Sequence, residues 1–204
     1  MKPRHLALAA GAVCLAWWFS GCAVLSKGGS DEAIYDFGPA RPAYSGPEVK
    51  QSVLVYDVGA PAWMDTPSIH YRLAYQDAAR PRAYANSRWA MAPAGLLSLR
   101  LRQRISGMTR GRVVIPTDGL RTNFALRVEL EEFGQVFDAA DRSRGVVRLR
   151  ATLIGGQGLV GQRVVEIEMP APSPDAEGGV RALTRAADEA IDRTVEWLAS
   201  QIRG

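Results

Sequence analysis

Cysteine and histidine are both scarce, with two of each in 204 residues. Two Cys exclude a disulfide-built scaffold, and with two His a histidine-built metal centre is not expected. Lysine is almost missing: Lys2, Lys27 and Lys50 stand against 22 Arg. With a net charge of only +4, that bias reads as a compositional habit and not as a nucleic-acid footprint. Long apolar runs are missing too, since no stretch reaches the 18 or so residues of a membrane-crossing helix. What remains is a globular balance, 47% hydrophobic and 23% charged, which excludes wholesale disorder. Twenty Gly and twelve Pro predict a fold with many turns.

The first 22 residues carry the most information. Lys2 and Arg4 form a basic head, followed by fourteen uncharged residues from Leu6 to Phe19. That run is the length of a secretory signal's apolar core and is shorter than a comfortable membrane span. It ends Phe19-Ser20-Gly21-Cys22, two small residues before a Cys. The pattern resembles the lipobox of bacterial lipoproteins. A thiol is needed to accept a diacylglyceryl group, and small residues before it let the backbone enter the peptidase cleft. Phe19 stands where Leu is usual and keeps the position apolar. The expectation is a signal peptide over residues 1–21, lipid attachment at Cys22 and a flexible tether over 22–33, with Ser26, Lys27, Gly28, Gly29, Ser30 and Asp31. An ordinary secretory signal with a leftover Cys, or an uncleaved anchor, are the alternatives. Ala23 stands where an Asp would favour the inner membrane, so the expected location is the outer membrane, facing the periplasm.

Beyond the tether, period-two alternation predicts strands over 34–37, 52–58, 68–75, 112–115, 123–133, 145–154 and 162–169, with 82–85 as a hairpin partner. The last three long strands read as an antiparallel meander. Helical spacing of Leu97, Leu101, Ile105 and Met108 predicts a helix over 88–106, with Ser87 as N-cap and Gly107 as C-cap. Val180, Leu183, Ala187, Ile191, Val195, Leu198 and Ile202 form the apolar stripe of a second helix over 180–202. The order of elements predicts one α+β domain over 34–204, two layers, with a mostly antiparallel sheet and helices packed on one face.

Little in this domain points to catalysis. Residues 156–161 match GxGxxG, but a strand follows where a dinucleotide site needs a helix, so a hairpin is expected. Asp65, Ser68 and His70 supply the side chains of a hydrolase triad without a nucleophile elbow. Glu129 with Glu131, and Glu166 with Glu168, share strand faces opposite the core, where Arg148 and Arg150 are natural cross-strand partners. No metal, cofactor or catalytic residue is expected. Arg100 and Arg104 share a helix face, by default a solvated one, and are candidates for contact with an acidic partner or anionic lipid. Trp63, in the Pro-rich stretch APAWMDTP, is the best candidate for an exposed contact residue.

The segments taken in order resemble the ABC-type transport auxiliary lipoprotein family, the PqiC-like group included. The residues that carry the likeness are Cys22, Tyr35-Asp36-Phe37, Val53-Leu54-Val55, Pro61-Ala62-Trp63-Met64-Asp65, Ile69-His70-Tyr71-Arg72, the stretch from Tyr84 through Asn86 to Pro93, and Ala186-Ala187-Asp188-Glu189-Ala190 on to Trp197-Leu198. The resemblance implies a non-enzymatic part of an ABC transport system that works with an MCE-domain protein. Such a system moves lipids or other hydrophobic molecules between membranes, with the lipoprotein docking the MCE assembly at the outer membrane. Two other readings stay open: a lipid-anchored periplasmic hydrolase, which requires a polar cleft around His70, and a pilotin-like envelope-assembly lipoprotein.

Overall fold

Side chains that alternate between oily and charged make a sheet with one face for a core and one for water. The three longest strands of this chain do so over much of their length. A computed structural model describes residues 32–39, 46, 48–110 and 112–202. The expected signal peptide, Cys22 and most of the tether lie outside the described residues. From Glu32 onward the chain forms a single compact unit.

The strands are β1 (Ala33–Tyr35), β2 (Val53–Val55), β3 (Ser68–Leu73), β4 (Ala78–Trp89), β5 (Val113–Val114), β6 (Phe124–Ala139), β7 (Arg142–Gly155) and β8 (Gly158–Pro170). The helices are α1 (Ala74–Asp77, a single turn), α2 (Pro93–Thr109) and α3 (Ala176–Gln201). β6, β7 and β8 form the expected antiparallel meander. The GxGxxG match falls on the β7–β8 connection, where Gly155 pairs with Gly158 across a two-residue turn. Gly158 has φ of 115°, a backbone angle open to glycine alone, and the hairpin reading holds.

The rest of the sheet is mixed. β7 covers one edge of β6 from end to end. The other edge is shared: β2 runs parallel beside residues 124–126, Gly59 bridges to Glu129, and β3 runs parallel beside 135–137. β5 then pairs parallel with β2, β4 antiparallel with β3, and β1 parallel with β4. The result is an α+β domain of eight strands and two layers, as expected, with short parallel pairings that alternation alone does not disclose.

α2 and α3 form the second layer. Leu126, Val128 and Leu130 of β6 and Val147, Leu149, Ala151 and Leu153 of β7 face them, along with Val165 of β8. The α3 stripe of Val180, Leu183, Ala187, Ile191, Val195 and Leu198 is buried against that face. α3 begins four residues earlier than its apolar stripe, because the Asp175 carboxylate accepts the Gly178 N–H at 2.7 Å and caps the helix. That hydrogen bond is the main reason the Asp175 carboxyl lies below the usual range.

α2 departs from expectation at its start. Pairing with β1 and β3 claims Arg88, and Trp89 ends β4 with its indole in the core. The helix begins instead at Pro93, whose ring suits the first helical position and no interior one. It ends at Thr109, with Arg110 in the left-handed region (φ 51°) donating its N–H to Ser106; Gly107 lies within the helix. β3 likewise stops at Leu73, and the α1 turn leaves Tyr75 exposed and not on an inward face.

At Gly145 the backbones of the two layers come close together. A Cβ added there would sit 2.7 Å from the Leu183 backbone nitrogen and 2.9 Å from the Ala182 carbonyl carbon. Backbone cannot move aside as a flexible side chain can. Gly145→Ala is therefore expected to cost about 3 kcal/mol, at the upper end for overpacking. The measurement is the urea midpoint at unchanged slope; an unshifted midpoint would mean that α3 does not lie this close to β7.

Candidate functional site

Arg100 and Arg104 show how the helices are joined. Arg100 is 7% exposed, so the solvated face expected for it is not what forms. Its guanidinium donates to the carbonyls of Phe37, Gly38 (3.2 Å) and Pro39 (2.8 Å), and its Nε lies 3.6 Å from Asp188. Arg104 donates from Nε to Asp192 at 2.6 Å. Positions four apart on α2 meet positions four apart on α3, and the two helices run in the same direction. Arg102, on another side of α2, pairs with Asp57 at 2.6 Å. The charge of Arg100 and Arg104 is thus engaged inside the domain. The fan of guanidinium donors on three carbonyls suits arginine and not lysine.

Trp63 has the opposite placement. Residues 61–65 form a tight turn in which Met64 N–H donates to Pro61 at 2.9 Å. The turn drives Met64 into the core and holds Trp63 outward at 44% exposure. It stands on the helix-free face of the sheet, beside the outward residues of β3. His70 meets the Trp63 ring edge-on with centroids 5.6 Å apart, and the Arg72 guanidinium lies over the ring at 5.5 Å. Arg72 is itself fixed by donating to the carbonyls of Ala78 (3.2 Å) and Ala79 (3.3 Å). An exposed Trp so buttressed loses little side-chain freedom on contact, which favours it as a docking residue.

His70 shows no triad geometry. Its Nε2 lies 3.4 Å from the Thr66 hydroxyl, and its partners include neither Ser68 nor Asp65. Burial pushes the imidazole below its ordinary value, and the Arg72 charge adds to this, against a hydrogen bond donated to the Arg82 backbone carbonyl that acts the other way. The depression beside it has a volume of about 10 Å³, room for about one water. The polar cleft that a hydrolase centred on His70 requires is not built there.

Next to Trp63 the helix-free face opens into a trough of about 510 Å³. Trp63, Arg72 and Ala74 form one wall, and Val136 of β6 and Val146 of β7 the apolar floor. The far wall is an ionic lattice across β6, β7 and β8. Arg148 contacts Glu131 and Glu166, both at 2.9 Å, and Arg150 reaches Glu131 at 2.6 Å and Glu129 at 3.9 Å. Arg144 joins Glu168 at 3.0 Å and also Asp138, which draws the Asp138 carboxyl below the usual range. The carboxylate pairs are therefore cross-strand partners of arginine, as expected. These exposed pairs add little stability individually.

A bulge in β6 was not anticipated. The register with β7 shifts between Leu130 and Glu132, so Glu131 and Glu132 both stand on the helix-free face. The sequence carries the signal: Leu130-Glu131-Glu132-Phe133 places two charged residues between apolar ones where alternation allows a single one.

Under the N-terminus of α3, buried Gln135 accepts from the Tyr84 hydroxyl at 2.9 Å and donates to Ser143 at 2.8 Å. Burial raises the Tyr84 phenol well above its ordinary value, so it stays a donor. This network completes the core, and Gln135 also borders the small depression beside His70. Among the described residues no three His, Cys, Asp or Glu side chains gather as metal ligands, and no helix is long and apolar enough to cross a membrane.

The two-layer domain thus joins its helices by internal ion pairs and presents a buttressed Trp beside an open trough. Residues 35–194 match the family model of the ABC-type transport auxiliary lipoprotein component, and the chain belongs to that family. No curated protein matches the chain. Among solved structures, a Xanthomonas campestris protein of family DUF330 is similar at 19% identity, with a TM-score of 0.72 over 83% of this chain and 96% of that one. A Chlamydia trachomatis protein is similar at 9% identity, with a TM-score of 0.52 over 75% of this chain and 98% of that one. At these identities the likeness concerns the fold.

Proposed function

We propose that this chain is a non-catalytic, lipid-anchored docking component of an ABC transport system that carries lipids or other hydrophobic molecules. Lipid on Cys22 holds it at the outer membrane with the domain in the periplasm. Residues 23–31, ahead of the folded unit, give it a reach of roughly 30 Å at full extension, at about 3.3 Å per residue. Its partner is the MCE-domain protein of the same system, received on the helix-free face of the sheet at Trp63. Tethering acts by raising the local concentration of the docking surface where the partner arrives.

One observation carries the choice of surface: Trp63 is held outward by its turn, by His70 and by Arg72, while Arg100 and Arg104 are engaged between the helices. Trp63→Ala is expected to weaken binding to the MCE-domain partner about 30-fold, the effect of losing a hot spot of about 2 kcal/mol. The urea midpoint should hardly move. Unchanged affinity in this variant would remove Trp63 from the interface.

A further inference from the structure

We propose that the trough beside Trp63 is a cation-accepting subsite, built to take a Lys or Arg side chain of the docking partner, with Glu132 as its counter-ion. This rests on the docking reading above and names its chemistry.

The β6 bulge supplies one more carboxylate than the lattice uses. Glu131 is matched by Arg148 and Arg150, Glu166 by Arg148 and Glu168 by Arg144. Glu132 lines the same trough, half-buried, and among the described residues no ion pair or hydrogen bond engages its carboxylate. Arg148, in register opposite Glu132, is committed to Glu131 and Glu166, and Arg72 on the other wall to the Ala78 and Ala79 carbonyls and to the Trp63 ring. Four glutamates and two arginines line the trough, an acidic excess.

The shape agrees with the charge. Val136 and Val146 make an apolar floor, each less than a tenth exposed although neither α2 nor α3 covers this face. A long basic side chain has an aliphatic stem for such a floor and a charged head for Glu132, with the Trp63 ring beside both. An acidic or purely apolar segment would leave Glu132 uncompensated in the closed interface, where an unpaired carboxylate is costly.

The test titrates the full-length protein with a short lysine-containing peptide and with the same peptide bearing norleucine at that position, reading Trp63 fluorescence against a Trp63→Phe blank. Only the lysine peptide should change the signal. Glu132→Gln should weaken its binding about tenfold, and Glu166→Gln, at a matched carboxylate, less than twofold. An equal response to both peptides, or wild-type binding by Glu132→Gln, would overturn the subsite. So would a Glu132-dependent response to phosphatidylethanolamine vesicles in the absence of one to the peptide, which would make the cation a lipid headgroup. The titration needs no partner protein, so its failure is separate from failure of Trp63→Ala to weaken docking.

Discussion

Trp89→Ala should lose about 4 kcal/mol of stability, the cost of truncating a fully buried aromatic side chain. Trp89 is 0% exposed and closes the junction of the sheet with the segment after β1. Its ring meets Phe37 and Phe133 edge-on, each with centroids 5.7 Å apart. Arg100, by holding the Phe37 carbonyl, keeps that aromatic cluster closed from the helix side. Against a typical total of about 5–15 kcal/mol, such a loss leaves the domain barely folded. Trp89→Phe should behave differently. It keeps a ring in the cluster and removes an indole N–H that finds no acceptor among the described residues. A buried donor without a partner costs about 1–3 kcal/mol, so the smaller ring's lost contact is partly offset. Urea unfolding of the two variants checks both expectations. Equal losses in Phe and Ala would show that the indole nitrogen is satisfied after all.

Cys22→Ser should move the protein completely from the membrane fraction to the soluble periplasmic fraction, or leave it as an uncleaved precursor. The reason is chemical: serine presents a hydroxyl where the diacylglyceryl transfer needs a thiol. Two or three acyl chains anchor stably, whereas a single chain gives marginal, reversible binding. Cys14→Ser should change nothing, because that Cys lies inside the expected signal and is discarded with it. Membrane fractionation with intact-mass measurement of the mature N-terminus reads both outcomes. A Cys22→Ser protein that is cleaved to the mature mass and still fractionates with the membrane would show that something other than this thiol holds the chain there.

The legible parts of the fold are those where burial alone fixes the pattern. Leu126, Val128 and Leu130, and Val147, Leu149 and Ala151, alternate because one sheet face is covered and the other is wet. The α3 stripe from Val180 to Leu198 follows the same rule with helical period. Features that depend on long-range partners were not legible. Arg88 and Trp89 read as helix until β1, whose paired residues lie 54 positions earlier in the chain, claims their backbone from one side and β3 from the other. Arg100 and Arg104 read as a solvated face because nothing local says that Asp188 and Asp192 lie opposite. The parallel pairings of β2 and β3 on one edge of β6 left no mark in composition either.

Of the proposed docking surface, the outward placement of Trp63 was legible. A Trp in a Pro-rich loop stood out as a contact residue, and the turn at residues 61–65 does hold it outward. Glu132 was missed because one extra residue in a strand is a small break in a long alternation. The bulge becomes visible only when both neighbours are in register.

The most direct test of this account places a photo-reactive residue at Ala62, exposed beside Trp63, in the full-length lipidated protein, and crosslinks intact cells. The account predicts an adduct with the MCE-domain protein of an ABC transport system, lost when Trp63 is also changed to Ala. Adducts confined to secretion or envelope-assembly proteins, and indifferent to Trp63, would contradict it.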